Sequence, residues 1–116
     1  MKILFVCSAN TQRSPAFERE FKKVIKASKN FKDWEVKSAG VWYGYPNRLT
    51  PVLMEWADTI YVMDLSHKIW INKRYPKYLF KVKIIGISDQ YDTDSPELKE
   101  LFNYWIKSLD PLDNQV

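Results

Sequence analysis

Lys2-Ile3-Leu4-Phe5-Val6-Cys7-Ser8-Ala9-Asn10-Thr11-Gln12-Arg13-Ser14-Pro15 begins in an apolar run and closes on a hydroxyl residue followed by proline. Residues 3–6 are continuously apolar, as a strand buried on both faces of a parallel sheet must be. Ser14-Pro15 is a helix-start signal, because a side-chain oxygen can satisfy an orphan N–H and proline gives up an N–H that had no partner. A strand running through a short loop into a helix is the first half of a β-α-β unit, so the stretch predicts an α/β architecture.

Outward from it, residues 34–38, 59–63 and 81–87 have strand character, and helical patterns separate or follow them. The first helix carries Phe17, Phe21, Val24 and Ile25 on one stripe, and the last carries Leu98, Leu101, Phe102, Trp105, Ile106 and Leu109. Thr50-Pro51 and Ser95-Pro96 repeat the start signal; the helix near Ser66 should stop at Pro76, and the last at Asp110-Pro111. Residues 60–63 are again continuously apolar, whereas Trp34-Glu35-Val36-Lys37 alternates as an edge strand does. With strands one and three central, the expectation is a Rossmann-like three-layer domain whose four-stranded parallel sheet has the order 2-1-3-4, with helices on both faces. The crossover direction then reverses between strands one and three, and ligands bind at such a switch point beyond the carboxyl ends of the strands.

The 116 residues are 46% apolar and 28% charged, enough for one compact core without a disulfide or metal staple. One cysteine excludes an internal disulfide, and one cysteine with one histidine excludes the usual structural zinc site. No signal peptide or long apolar run is recognisable, and no repeat, low-complexity tract or linker divides the chain, so the expectation is a single cytoplasmic domain over residues 1–116 with no membrane partner. A net charge of +4 favours anionic partners.

The expected switch point is the segment Cys7 to Pro15. A loop closing on a helix N-terminus aims several backbone N–H groups and the positive end of the dipole at one point, which suits a phosphate dianion. Ser8, Ala9, Asn10, Thr11, Gln12, Arg13 and Ser14 are therefore candidate phosphate-binding residues, with Arg13 adding a planar fork matched to two phosphoryl oxygens. The same field favours a thiolate on Cys7, to which Ser14 could donate its hydroxyl. The bland alternative is a small buried cysteine ending the strand, with Arg13 on a solvated helix face.

On these residues the sequence resembles the low-molecular-weight protein tyrosine phosphatases, whose hallmark is a cysteine, five residues and Arg-Ser-Pro directly after the first strand. Ser38-Ala39-Gly40, Met63-Asp64 and Ser88-Asp89-Gln90-Tyr91 are similar to further motifs of that family, and the likeness runs from Met1 to about Trp105. The resemblance implies a phosphomonoester hydrolase without metal or cofactor. Cys7 would be the nucleophile and form a cysteinyl-phosphate intermediate, Arg13 would bind the equatorial oxygens, Asn10 would brace the loop, Ser14 would stabilise the thiolate, and Asp89 would protonate the leaving group. Two departures stand out. The family's Asp-Pro is Asp89-Gln90 here, which frees a backbone angle and leaves Asp92 and Asp94 as alternative acids. A second cysteine that many members carry before the arginine is Gln12, so oxidised Cys7 has no resolving thiol in the chain.

Trp42, Tyr43 and Tyr45 in one loop and Tyr91 in another are candidates for an aromatic slot, with Trp42, Tyr43 and Tyr91 the expected substrate contacts. The expected substrate is a phosphotyrosine-containing protein or an aryl phosphate, with Arg48 available to read an acidic flank. His67, one turn into a helix, is read as a packed histidine and not a catalytic one. The lysines at 22, 23, 26, 29 and 32 and between 68 and 83 offer a surface for RNA, but no RNA-binding signature accompanies them and nucleic acid is disfavoured. A thioredoxin-coupled arsenate reductase would need further cysteines. A catalytically weak phosphate- or phosphopeptide-binding module is the serious rival, since a misplaced acid would spare binding.

Overall fold

The computed structural model describes residues 1–109; the helix stop expected at Asp110-Pro111 lies outside the described residues. Four strands, β1 (Lys2–Cys7), β2 (Glu35–Gly40), β3 (Thr59–Val62) and β4 (Val82–Ile84), form one parallel sheet of order β2-β1-β3-β4. The helices are α1 (Arg13–Ala27), α2 (Pro51–Trp56), α3 (Leu65–Arg74) and α4 (Pro96–Ile106). The register pairs Cys7 with Gly40 and Val6 with Val62, so the ends of β1, β2 and β3 meet at one edge.

Alternation along β1 splits the core between the two faces of the sheet. Ile3, Phe5 and Cys7, with Tyr61 and Met63, face α1 and α4, whose Phe17, Phe21, Leu98 and Phe102 are buried there. Leu4 and Val6, with Ile60 and Val62, face α2 and α3, represented by Met54 and Ile71. The first layer is aromatic: the Phe17 ring meets Phe102 edge-on at 5.3 Å, and Tyr61 meets Trp105 at 5.0 Å. Edge-to-face pairs of this kind place the positive ring edge on the negative ring face.

Three elements depart from the expectation. β4 covers Val82–Ile84 where the pattern suggested residues 81–87. Lys81 instead ends a 3-10 turn over Pro76–Lys81, and its ammonium donates to the Met54 and Ala57 carbonyls at 2.9 and 2.7 Å, closing the end of α2. Beyond Ile84, Gly86 at φ 89° turns the chain so that the N–H groups of Gly86 and Ile87 both reach the Met63 carbonyl, at 3.0 and 2.7 Å. β2 begins at Glu35, not Trp34, whose ring packs on Phe31 at 4.8 Å. Ser14 is not the cap of α1, because the helix already starts at Arg13 behind Gln12. Thr50 and Ser95 do cap their helices, accepting from the N–H groups of Leu53 and Leu98 at 3.2 Å each.

Candidate active site

β1 ends at Cys7, and residues 8–12 cross the carboxyl edge of the sheet before α1 begins at Arg13. Asn10 sits in the left-handed region at φ 59°, which costs a non-glycine residue about 1–2 kcal/mol. Its side chain offsets that cost. The Asn10 Nδ2 group donates to Ser14 Oγ and Ser38 Oγ, both at 2.9 Å, while its Oδ1 accepts from Asn47 Nδ2 at 2.9 Å. Ser38 in turn donates to Glu18 of α1. Gly40 is required beneath this loop, since a Cβ there would stand 2.6 Å from the Ser8 carbonyl oxygen and 2.7 Å from the Asn10 nitrogen.

Cys7 is buried, with Sγ 2.9 Å from Ser14 Oγ. Because Asn10 donates into the Ser14 oxygen, the hydroxyl proton of Ser14 is left for the sulfur or for the more distant Ala39 carbonyl at 3.4 Å. A chain of hydrogen bonds thus runs from Asn10 through Ser14 to the sulfur. Ser14, expected from sequence both to cap the helix and to reach the thiol, does the second and not the first. The first turn of α1 has no side-chain cap at Gln12, which leaves its N–H groups for an anion.

Arg13, 4% exposed, is fixed from behind: Nη1 donates to Asp64 Oδ2 and to the Ile87 carbonyl, each at 2.8 Å, and Nη2 donates to Ser8 Oγ at 3.3 Å. Among the described residues, its Nε and second Nη2 N–H make no such bond and present a two-pronged donor. Asp64 and His67 form the N-terminal capping box of α3. Burial would raise the Asp64 carboxyl, but hydrogen bonds from Ser66 and Arg13 and the neighbouring His67 outweigh it and hold the group at about 2. His67 is pushed down to about 4, chiefly by burial and also by Arg13, with Asp64 opposing. It is therefore neutral near pH 7. Its Nδ1 accepts from the Asp64 N–H at 3.2 Å, so Nε2 carries the proton and donates to Ser8 Oγ at 3.0 Å.

Cys7, Ser8, Ala9, Thr11, Gln12, Arg13, Trp42 and Asp89 line a cavity of about 170 Å³, suited to a phosphoryl group with its leaving atom at the mouth. Trp42 is brought there by its own N–H, which donates to the Ser8 carbonyl at 2.8 Å. Asp89 comes from the loop after β4. Asp92 and Asp94 do not line the cavity; Asp94 turns to Arg19 at 3.2 Å. Tyr43 is 84% exposed, with the Arg48 guanidinium over its ring at 4.6 Å, and Tyr91 packs against the aromatic core. Trp42 alone of the candidate aromatic contacts is in the wall. Among the described residues, no group of three or more His, Cys, Asp or Glu could hold a metal ion, and no helix is long and apolar enough to cross a membrane.

Sequence reasoning did not place Asp64 and His67 behind Arg13 and Ser8. The run Asp64-Leu65-Ser66-His67 carried a local sign of the capping box, an acid at the cap position with a hydrogen-bonding side chain three residues on. Nothing local told that the box faces the loop between β1 and α1.

The sequence model of the low molecular weight phosphotyrosine protein phosphatases matches residues 2–53, which carry β1, the loop over residues 8–12, α1, β2 and the start of α2. The chain is 29% identical to the protein-arginine-phosphatase of Bacillus subtilis (strain 168), an alignment covering 94% of this chain and 97% of that protein. Among solved structures it is similar to the YwlE arginine phosphatase in a cysteine-to-serine mutant with a phosphorylated active-site serine, with TM-score 0.77, 27% identity and coverage of 96% and 97% of the two chains. It is likewise similar to the low molecular weight protein tyrosine phosphatase of T. tengcongensis, with TM-score 0.75, 28% identity and coverage of 100% and 99%.

Proposed function

We propose that this chain, whose residues 2–53 match the low molecular weight phosphotyrosine protein phosphatases, acts as a member of that family and removes phosphate from protein side chains through a cysteinyl-phosphate intermediate, with Cys7, Arg13 and Asp89 as the reacting constellation. The observation that carries this is the meeting of those three residues in one small cavity at the start of α1. In the first step the Cys7 thiolate attacks phosphorus in line, an S–P bond forms as the bond to the leaving group breaks, and Asp89 gives its proton to the leaving atom. The open donors of Arg13 and the loop N–H groups bind the equatorial oxygens and stabilise the charge they carry in the transition state. In the second step Asp89 takes a proton from water as the water attacks phosphorus, the S–P bond breaks, and inorganic phosphate and the thiolate are released.

Phosphotyrosine is the substrate favoured by the family and by Trp42, whose indole offers an apolar face to a phenyl ring at the cavity mouth. A second reading, phosphoarginine, is favoured by the rest of the lining, where Thr11, Gln12 and Asp89 are polar and, among the described residues, no aromatic ring besides Trp42 takes part. The curated relative and one of the solved structures described above are named as arginine phosphatases. The same residues serve both readings, with Asp89 protonating oxygen in one and nitrogen in the other. A cytoplasmic setting, where a lone thiol stays reduced, belongs to either reading.

Hydrolysis of a phosphotyrosine peptide and of the matching phosphoarginine peptide, compared as kcat/KM without added metal, tests both. Cys7→Ser is expected to abolish turnover of each, and turnover surviving in that variant would overturn the mechanism. Phosphate or phosphopeptide binding by a parent chain that turns over neither substrate would establish the binding-module alternative instead.

A further inference from the structure

The loop over residues 88–94 carries Asp89 without helix or strand, and Gln90 behind the acid leaves the backbone angle there free. The loop is nevertheless held at both ends. At its entry the Ile87 carbonyl accepts from Arg13 Nη1 at 2.8 Å. At its exit the Thr93 N–H donates to Gln12 Oε1 at 2.5 Å, the Thr93 carbonyl accepts from Arg19 Nη2 at 2.8 Å, and Asp94 Oδ1 accepts from Arg19 Nη1 at 3.2 Å. Both polar groups of one backbone residue are thus claimed by side chains of α1 and its N-cap, Arg19 and Gln12. Ser95 then caps α4.

Arg19 is itself oriented. Its Nε lies 3.3 Å from Glu20 Oε2, and Glu20, 8% exposed, is also paired with Lys23 at 3.2 Å. The guanidinium therefore turns one edge to Glu20 and the other to the loop. Gln12 and Arg13 are adjacent in sequence, so the two ends of the acid loop are referenced to the segment that surrounds the phosphate site.

From this arrangement we infer that Gln12, supported by Arg19, is a positioning residue that sets the reach of Asp89 to the leaving group. The inference rests on the reading of Asp89 as the general acid. Proton transfer demands hydrogen-bond reach, and a displacement of about 1 Å can cost on the order of 100-fold in rate. A backbone free at residue 90 supplies no such precision by itself. A glutamine oxygen on the Thr93 N–H supplies a fixed point beyond the acid, as Arg13 does before it.

The test compares kcat/KM for phenyl phosphate, whose leaving group needs a proton, with that for 2,4-dinitrophenyl phosphate, whose leaving group does not. Gln12→Ala is expected to lower the first about 10-fold more than the second, a fraction of what a general acid contributes in full. Arg19→Ala, which removes a tether without entering the cavity wall, should change the ratio in the same direction by about 3-fold, since Gln12 still holds Thr93. In an Asp89→Asn background, Gln12→Ala should leave the ratio where Asp89→Asn alone put it, because residues that act through one another are not additive. Equal losses on both substrates, or additive effects with Asp89→Asn, would overturn the positioning role. If Asp89→Asn itself leaves the ratio at the parent value, the acid assignment falls and the inference with it; if Asp89→Asn shifts the ratio while Gln12→Ala and Arg19→Ala do not, the inference alone falls.

Discussion

Gly40 shows how a single residue conditions the site. The Ser8-Ala9-Asn10 backbone lies against its Cα, where a methyl group would meet backbone atoms at 2.6 to 2.7 Å. Neither backbone can give way freely, because Asn10 is held on three sides. Gly40→Ala is therefore expected to destabilise the fold by about 1–3 kcal/mol, the usual cost of overpacking, and to lower kcat/KM further by disturbing the loop. Thermal unfolding and steady-state kinetics on the same preparation check it. Sequence showed Ser38-Ala39-Gly40 as a motif but not its purpose, which depends on a neighbour about thirty residues away in the chain.

At the level of elements, the hydroxyl-proline pairs separate by use. Thr50 and Ser95 cap α2 and α4 as their local pattern says, and replacing either by alanine should cost about 1 kcal/mol of stability with little effect on catalysis, measured by denaturant unfolding. Ser14 carries the same pattern and a different duty. Its oxygen lies 2.9 Å from the Cys7 sulfur, so Ser14→Ala should act mainly on turnover by removing the donor that stabilises the sulfur as leaving group when the S–P bond breaks. A fall in kcat without a matching fall in melting temperature is the expected signature. The periodicity of α1 and α4 and the apolar runs of β1 and β3 were legible because each reflects local geometry repeated over many residues. β4 was not: Lys81 follows an apolar neighbour and reads as strand, yet three-dimensional proximity to the end of α2 draws it into a capping role.

For the whole molecule, the capping box of α3, with His67 buried in it, makes stability depend on pH. Unfolded histidine takes a proton near 6.5, whereas folded His67 resists it down to about 4, so stability falls as pH drops through that window, by on the order of 3 kcal/mol. Asp64 adds a loss of the same sign between its ordinary 3.8 and about 2, where the folded carboxylate is finally protonated. Urea unfolding at pH 7, 5.5 and 4.5 should show the decline, and His67→Gln should flatten it above pH 4.5. The aromatic layer should dominate stability in either state. Phe102, fully enclosed by Phe17, Phe21 and Trp105, is expected to cost about 3–5 kcal/mol on replacement by alanine, read as a lowered unfolding midpoint.

By itself the sequence determined the layer architecture, the strand order, the loop between Cys7 and Arg13 at the end of β1, and the starts of α2 and α4. Those properties follow from short-range sterics, hydrophobic periodicity and the spacing of a few polar residues along one segment. Only the tertiary structure decided that Asp64 and His67 stand behind Arg13 and Ser8, that Trp42 and not Tyr43 or Tyr91 walls the cavity, and that Asp89 rather than Asp92 or Asp94 reaches it. Each of these joins residues from separate loops at the carboxyl edge of the sheet. Their meeting is set by how the crossovers pack, and a linear pattern carries no record of which loop ends face one another until the layers have closed.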